Sequence, residues 1–267
     1  IFVRSIALPR GDGDPGGVSW ADYDNDGDLD ALICSSGPAR LFRNDGNWFT
    51  FAPEEAGLSG AGQAAAWADY DGDGALDVVF ADPPGLFRNA GGRFEDAGKA
   101  LPALPIAKAA GVGWLDANGD GKPDLLFYGG EGVALLLNRG EGKQRFKDAS
   151  GSWGVGKGGL GAGPGEFLCL GDLSGDGFPG FVHNCGRTLV VRNEDGKKFQ
   201  PVGTPGIEYA AEAPIGLACG DFDNDGALDL FIPQSGRSRL FRNNNDGAFS
   251  DRAVTASTLL SPMTSTA

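Results

Sequence analysis

A short acidic pattern, D-x-D-x-D-G-x-x-D or a close variant, occurs five times in this chain, and no other feature constrains its fold as tightly. "WADYDNDGDLDALIC" (20–34) carries Asp22, Asp24, Asp26, Asp28 and Asp30. "WADYDGDGALDVVF" carries Asp69, Asp71, Asp73 and Asp77. "WLDANGDGKPDLLF" carries Asp116, Asn118, Asp120 and Asp124. "LGDLSGDGFPGFV" carries Asp172, Ser174 and Asp176, and "CGDFDNDGALDLFI" carries Asp221, Asp223, Asp225 and Asp229. The first acids stand at 22, 69, 116, 172 and 221, so the spacings are 47, 47, 56 and 49. A chance acidic turn does not return at such a period with the same internal order. A period of this size marks a repeated supersecondary unit.

Aspartates crowded between apolar flanks repel one another at neutral pH, so the pattern calls for a cation. A hard cation such as Ca2+ takes about six to eight oxygens. Alternation delivers side-chain oxygens from the first, third and fifth positions. The glycine then permits a sharp turn with positive φ. A backbone carbonyl follows, from Asp28, Ala75, Lys122, Phe178 or Ala227, and a last acid closes the set. The start is like an EF-hand loop, but the closing Glu of that loop is absent. The flanks "GVSWA" and "LDALIC" read as short strands, not helices. The expectation is up to five Ca2+ ions held in β-hairpin turns. In the fourth loop Ser174 replaces the second acid and Gly180 the last, which leaves only Asp172 and Asp176 as carboxylates. That site is expected to be the weakest, or empty.

The repeat extends beyond the loop. An apolar segment ending in Asn follows each one: "RLFRN" (40–44), "GLFRN" (85–89), "ALLLN" (134–138), "LVVRN" (189–193) and "RLFRN" (239–243). A glycine-bearing turn and an aromatic-led segment come next: "WFTFA", "RFEDA", "RFKDA", "KFQPV" and "AFSDR". Four short antiparallel strands in about fifty residues have the size of one propeller blade.

With these residues in view, nearly the whole chain resembles the FG-GAP/VCBS repeat proteins, calcium-loop β-propellers that include the head of integrin α chains. The literal Phe-Gly and Gly-Ala-Pro signatures of the integrin subclass are not evident, so the closer likeness is to bacterial VCBS-type repeats. The resemblance implies extracellular or surface proteins that bind ligands, adhere or scaffold. Some relatives are lectins, and some carry polysaccharide-cleaving sites. The expected fold class is all-β, a β-propeller of about five four-stranded antiparallel blades. Its single domain covers 1–254, with repeats about 10–55, 56–98, 99–150, 151–203 and 204–254, followed by a Ser/Thr-rich tail at 255–267.

A chain of 267 residues can bury a sizeable core, and 46 glycines without a collagen period suit many tight turns. The formal net charge of −14 excludes nucleic acid as a partner, since nothing neutralises phosphates. Five bound Ca2+ ions would bring that charge to about −4, ordinary for a soluble domain. No apolar run approaches the ~18 residues of a membrane span, so membrane insertion is not expected. The sequence opens on Ile1, which is read as a processed start or a fragment. Four cysteines suit an exported protein, and a Cys169–Cys185 bridge across one hairpin is one expectation. Cys34 and Cys219 could pair only if the first and last repeats are neighbours. Buried free thiols are the alternative.

Trp20, Trp67 and Trp114 share one register, and Leu170 and Cys219 take the same place, so this is expected to be packing between blades. Trp48 and Trp153 are off that register and are better candidates for a surface contact. "GVGKGG" (154–159) lacks the β-α-β context of a phosphate loop and reads as a flexible connection. His183 is the only histidine, and no partner nearby completes a catalytic pair. The paired carboxylates all belong to loops, so no catalytic residue is named.

"IFVRSIALP" (1–9) is like the last strand of each blade and exceeds the count by one. It would close the ring, belong to a larger propeller, or pair with another copy at an open edge and build filaments. The function expected is a non-catalytic, calcium-stabilised extracellular module that is structural or adhesive and able to self-assemble. A glycan-binding lectin is the alternative, and a polysaccharide-active enzyme is a weaker one. The partners expected are the protein itself, other surface proteins, or glycans.

Overall fold

The acidic loop and the closing Asn of each repeat mark where strands begin and end. In the computed structural model the described residues are 15–46, 48–52, 56–58, 61–163, 167–186, 188–203, 207, 216–234, 238–245 and 248–252. Their regular structure is almost entirely β, and it forms five sheets in chain order. The first holds β1 (Pro15–Ala21), β2 (Asp30–Pro38), β3 (Arg40–Asn44) and β4 (Phe49–Phe51), with β5 (Ala61–Gly62) added to β2. The second holds β6 (Ala65–Ala68), β7 (Asp77–Phe80), β8 (Gly85–Asn89) and β9 (Phe94–Asp96). The third holds β10 (Gly111–Leu115), β11 (Asp124–Gly129), β12 (Gly132–Asn138) and β13 (Phe146–Asp148), with β14 (Gly156–Lys157) on β12. The fourth holds β15 (Phe167–Gly171), β16 (Gly180–Asn184), β17 (Thr188–Glu194) and β18 (Lys198–Pro201). The fifth holds β19 (Ala218–Gly220), β20 (Asp229–Ile232), β21 (Arg239–Asn243) and β22 (Phe249–Asp251). These are the five antiparallel blades of a β-propeller.

The second strand of each blade starts on the last acid of its loop, or on Gly180 in the fourth. It is the most apolar strand because it is covered on both faces. All four residues of β7 are buried, as are all five of β16. Full burial of such side chains contributes about 1.5–3 kcal/mol each.

The chain forms two compact units. One contains 1–114, 122–127 and 136–148, and the other 115–121, 128–135 and 149–267. In the first, Leu32, Cys34 and Leu41 of the first blade pack with Val78, Phe80, Phe87 and Phe94 of the second, and Trp67 lies against them. The fourth-strand phenylalanines anchor this packing. The Phe94 ring lies 5.7 Å from Tyr23 of the preceding loop and 5.9 Å from Trp67 of its own blade. Phe146 repeats the arrangement with Tyr70 and Trp114. Trp67 and Trp114 thus take the packing role expected of them, whereas Trp20 is 53% exposed. In the second unit, Val182 and Val190 pack with Leu230, Ile232, Phe241 and Phe249.

Three expectations are corrected. Cys169 is bonded to Cys219, with Cα atoms 6.2 Å apart, and not to Cys185. Strand register is the reason, because β15 sets Cys169 opposite Val182 and Cys185 lies past the end of β16. The first strands of the last two blades instead bring Cys169 and Cys219 together. Cys34 and Cys185 are buried and lie outside that bridge. Trp153 is not a surface residue; it is buried, its ring 5.1 Å from Phe199. Trp48 is 60% exposed, as expected. "GVGKGG" is not a loose connection either, since Gly156 and Lys157 pair with Val133 and Gly132. His183 is fully buried beside Tyr128, a structural place. Residues 1–9 and 255–267 lie outside the described residues. Non-reducing peptide mapping is expected to return one cross-link, Cys169 to Cys219, and two alkylatable thiols after unfolding. A Cys169–Cys185 peptide would overturn this pairing.

Candidate metal centres

Each loop is built around its first aspartate. Asp22 accepts hydrogen bonds from the backbone N–H of Asp26 (3.0 Å) and Gly27 (2.9 Å). Asp69, Asp116, Asp172 and Asp221 accept the same pair from Asp73 and Gly74, Asp120 and Gly121, Asp176 and Gly177, and Asp225 and Gly226. The fifth-position acid holds the next turn: Asp26, Asp73, Asp176 and Asp225 accept the N–H of Asp28, Ala75, Phe178 and Ala227. Such a winding needs left-handed backbone at two places. The fourth position is Asn25, Gly72, Gly119, Gly175 or Asn224, with φ between 57° and 78°. The sixth is always glycine, with φ between 80° and 95°. Only Gly, and to a lesser degree Asn, adopt this region cheaply.

The last acid has a second role that its place in the motif did not disclose. Asp77 is fully buried; its Oδ2 accepts the Tyr70 N–H at 3.0 Å and its Oδ1 the Asn89 N–H at 2.7 Å. Asp30 holds Tyr23 and Asn44 in the same way, and Asp229 holds Phe222 and Asn243. One carboxylate thus ties the loop to the end of the third strand. Burial, helped by neighbouring acids, pushes Asp30 up to about 6 and Asp77 up to about 7.

In three loops these bonds bring carboxylate oxygens within 4.8 Å of one another: Asp22, Asp24 and Asp30; Asp69, Asp71 and Asp77; Asp221, Asp223 and Asp225. The expected ligands Asp26, Asp73 and Asp229 are not in those groups. Among the described residues, no such acidic trio forms in the third loop, around Asp116, Asn118, Asp120 and Asp124, or in the fourth. The fourth cannot regain its acid simply. A Cβ on Gly180 would stand 2.3 Å from the Val191 carbonyl oxygen, so β17 occupies the space a side chain needs.

The donor set suits a hard divalent cation. All donors are oxygens, without the imidazole or thiolate that would select zinc or copper. Asp24 Oδ1 and Asp71 Oδ1 are buried without a hydrogen-bond partner. A bare buried carboxylate oxygen is costly unless a cation faces it.

The residue that sequence reading left without a role is the closing Asn. Asn89 is fully buried, and its Nδ2 donates to the Tyr23 carbonyl of the preceding blade (2.7 Å) and to Leu76 of its own loop (3.1 Å). Its Oδ1 accepts the Gly92 N–H at 2.7 Å. Asn138 reaches Tyr70, Asn193 reaches Ala117 and Asn243 reaches Leu173 in the same way. These four Asn residues each clasp their loop to the one before. The recurrence of Asn in all five repeats was the available signal.

The profile of the FG-GAP-like repeat matches residues 22–80, 116–182 and 221–267, and each match opens on the first aspartate of a loop. Comparison with curated protein sequences returned no match. Among solved structures, the chain is similar to a lectin of Agrocybe aegerita that recognises non-reducing terminal N-acetylglucosamine (20% identity, TM-score 0.56, 89% of this chain and 65% of that one). It is also similar to a mutant of AofleA from Arthrobotrys oligospora (12% identity, TM-score 0.56, 92% of this chain and 75% of that one). A third likeness is to the Tc holotoxin pore of Photorhabdus luminescens (22% identity, TM-score 0.53, 88% of this chain and 12% of that one). The chain thus spans less than two-thirds of the lectin and a small part of the holotoxin chain. At these identities the likeness shows the fold. The family rests on the repeats themselves: with matches over well over half of its length, each beginning at an acidic loop, the chain belongs to the FG-GAP-like repeat family.

Proposed function

We propose that this chain is a non-catalytic recognition module of an extracellular protein, braced by calcium in its acidic loops. The observation that carries this reading is the set of three carboxylate clusters, each within 4.8 Å, two of them holding a buried oxygen without a partner. Asp22, Asp24 and Asp30, Asp69, Asp71 and Asp77, and Asp221, Asp223 and Asp225 would hold the ions. The ion supplies charge neutralisation and ties each loop to its blade. Asp116, Asn118, Asp120 and Asp124 would form a weaker site, and Asp172, Ser174 and Asp176 the weakest.

Glycans are the partner class favoured among those expected. Similarity of fold to a glycan-recognising lectin supports this, as does a recess of about 380 Å³ in the second unit. Apolar Leu173, Val190 and Phe249 line it, together with polar Ser174, Arg192 and Asn243. Self-assembly through residues 1–9 and adhesion remain further proposals of the same module.

The test is calcium uptake by the full chain after chelation, followed by glycan-array binding in calcium and in chelator. At least three ions per chain at millimolar calcium, with array binding lost in chelator, is the expected result. No uptake at 10 mM calcium would overturn the metal reading. Uptake without array binding would leave a braced scaffold and remove the lectin reading.

A further inference from the structure

The residue just before the closing Asn is Arg43, Arg88, Leu137, Arg192 or Arg242 in the five blades. Its surroundings differ in a way that bears on the loops. Arg88 Nε lies 2.6 Å from Asp71 Oδ2, and its second amino group bonds Asp73 Oδ2. Arg242 repeats this in the fifth blade, with Nε 2.6 Å from Asp223 Oδ2 and an amino group on Asp225 Oδ2. A single guanidinium therefore spans the second and third acids of each of these loops. In the first blade, Arg43 Nε lies 2.9 Å from Asp45 Oδ1, an acid beside the loop rather than in it, and Thr50 donates to the other Asp45 oxygen at 2.5 Å. The places of Asp45 and Thr50 in the fifth blade are taken by Asn244 and Ser250, which bond each other and leave Arg242 to the loop. In the second blade Ala90 stands where Asp45 does and offers the arginine nothing. The third blade has Leu137, so no cation stands at this position, and in the fourth Ser174 removes the second acid.

We propose that Arg88 and Arg242 are resident counter-cations that make the second and fifth loops less dependent on calcium than the first, where Asp45 draws Arg43 away. This rests on the calcium reading above. A guanidinium held on two carboxylates lowers the repulsion that opens an empty loop. The same charge opposes an incoming cation and takes lone pairs from it. Both effects have one direction: a steadier empty loop and a weaker metal site. Asp71 Oδ1 stays bare while Arg88 occupies Oδ2, so the arginine and a metal meet the same carboxylate from different sides.

Two variants of the full chain test this. Arg88→Leu copies the third blade and removes the counter-cation. Asn244→Asp copies the first blade and leaves Arg242 in place but gives it another partner. Chelator-competition titration is expected to show one site per variant tightened about fivefold to tenfold, roughly the effect of removing a pKa-unit-sized repulsion. Arg88→Leu should also melt a few degrees lower in chelator and show a larger rise on adding calcium. Unchanged or weakened calcium affinity in both variants would overturn the proposal. If the wild-type chain takes up no calcium yet Arg88→Leu melts lower in chelator, the metal reading falls and the counter-cation role stands. An unchanged chelated melt in that case sinks both.

Discussion

The chain in 10 mM calcium is expected to melt about 15 °C or more above the same chain in chelator. The argument is mass action. An ion present at a hundred times its dissociation constant stabilises the folded chain by about 2.7 kcal/mol per site. Extracellular calcium modules bind at roughly 10⁻⁴ to 10⁻³ M, so 10 mM approaches that condition for the tighter sites. Three acidic clusters then give several kcal/mol, and each kcal/mol moves Tm by about 2–4 °C in a chain of this size. The dependence on pH should separate the two states. Asp30 and Asp77 titrate higher in the folded chain, about 6 and about 7, than in the unfolded one. A raised carboxylate takes up protons on folding, so in chelator stability falls as pH rises from about 4, and the loss is complete above about 7. Melting temperature in chelator should therefore drop between pH 4.5 and 7.5, while calcium removes the drop by replacing the proton. A chelated profile that is flat or rising over that range would count against strained acidic loops.

Asn89→Ala is expected to be nearly as damaging, and in both conditions. It leaves the Tyr23 and Leu76 carbonyls and the Gly92 N–H without their partner. Three lost hydrogen bonds at about 1 kcal/mol each suggest about 3 kcal/mol, or a fall in Tm of about 6–12 °C. Asn89→Asp has the same shape but the wrong chemistry. It keeps an acceptor for Gly92 yet sets a buried carboxylate against two carbonyl oxygens. At pH 7 it should be no better than the alanine variant, and it should recover partly in acid, where the carboxyl can donate. If both variants melt with the wild type, the Asn is not the clasp between blades.

The acidic repeat, its spacing and the strands around it were legible without coordinates because they are local. Alternating acids and a glycine at the turn are set by neighbours a few positions apart, and the Asn or Gly at the fourth position answers a local need for positive φ. The apolar flanks of the loops were legible as short strands for the same reason. Other features depended on residues far apart in the chain. Cys169 finds Cys219 across fifty positions because two first strands lie side by side, which no spacing within one hairpin indicates. Trp153 is buried because Phe199 happens to meet it. The double hydrogen bonding of Asp77, the reach of Asn89 to Tyr23 and the choice of Arg43 between loop and Asp45 are likewise tertiary facts. Sequence by itself determined the repeating unit and the chemistry of its loops, because both are written within about ten residues. Only the tertiary structure decided which acids converge and what faces them, because that depends on how each blade meets the one before it.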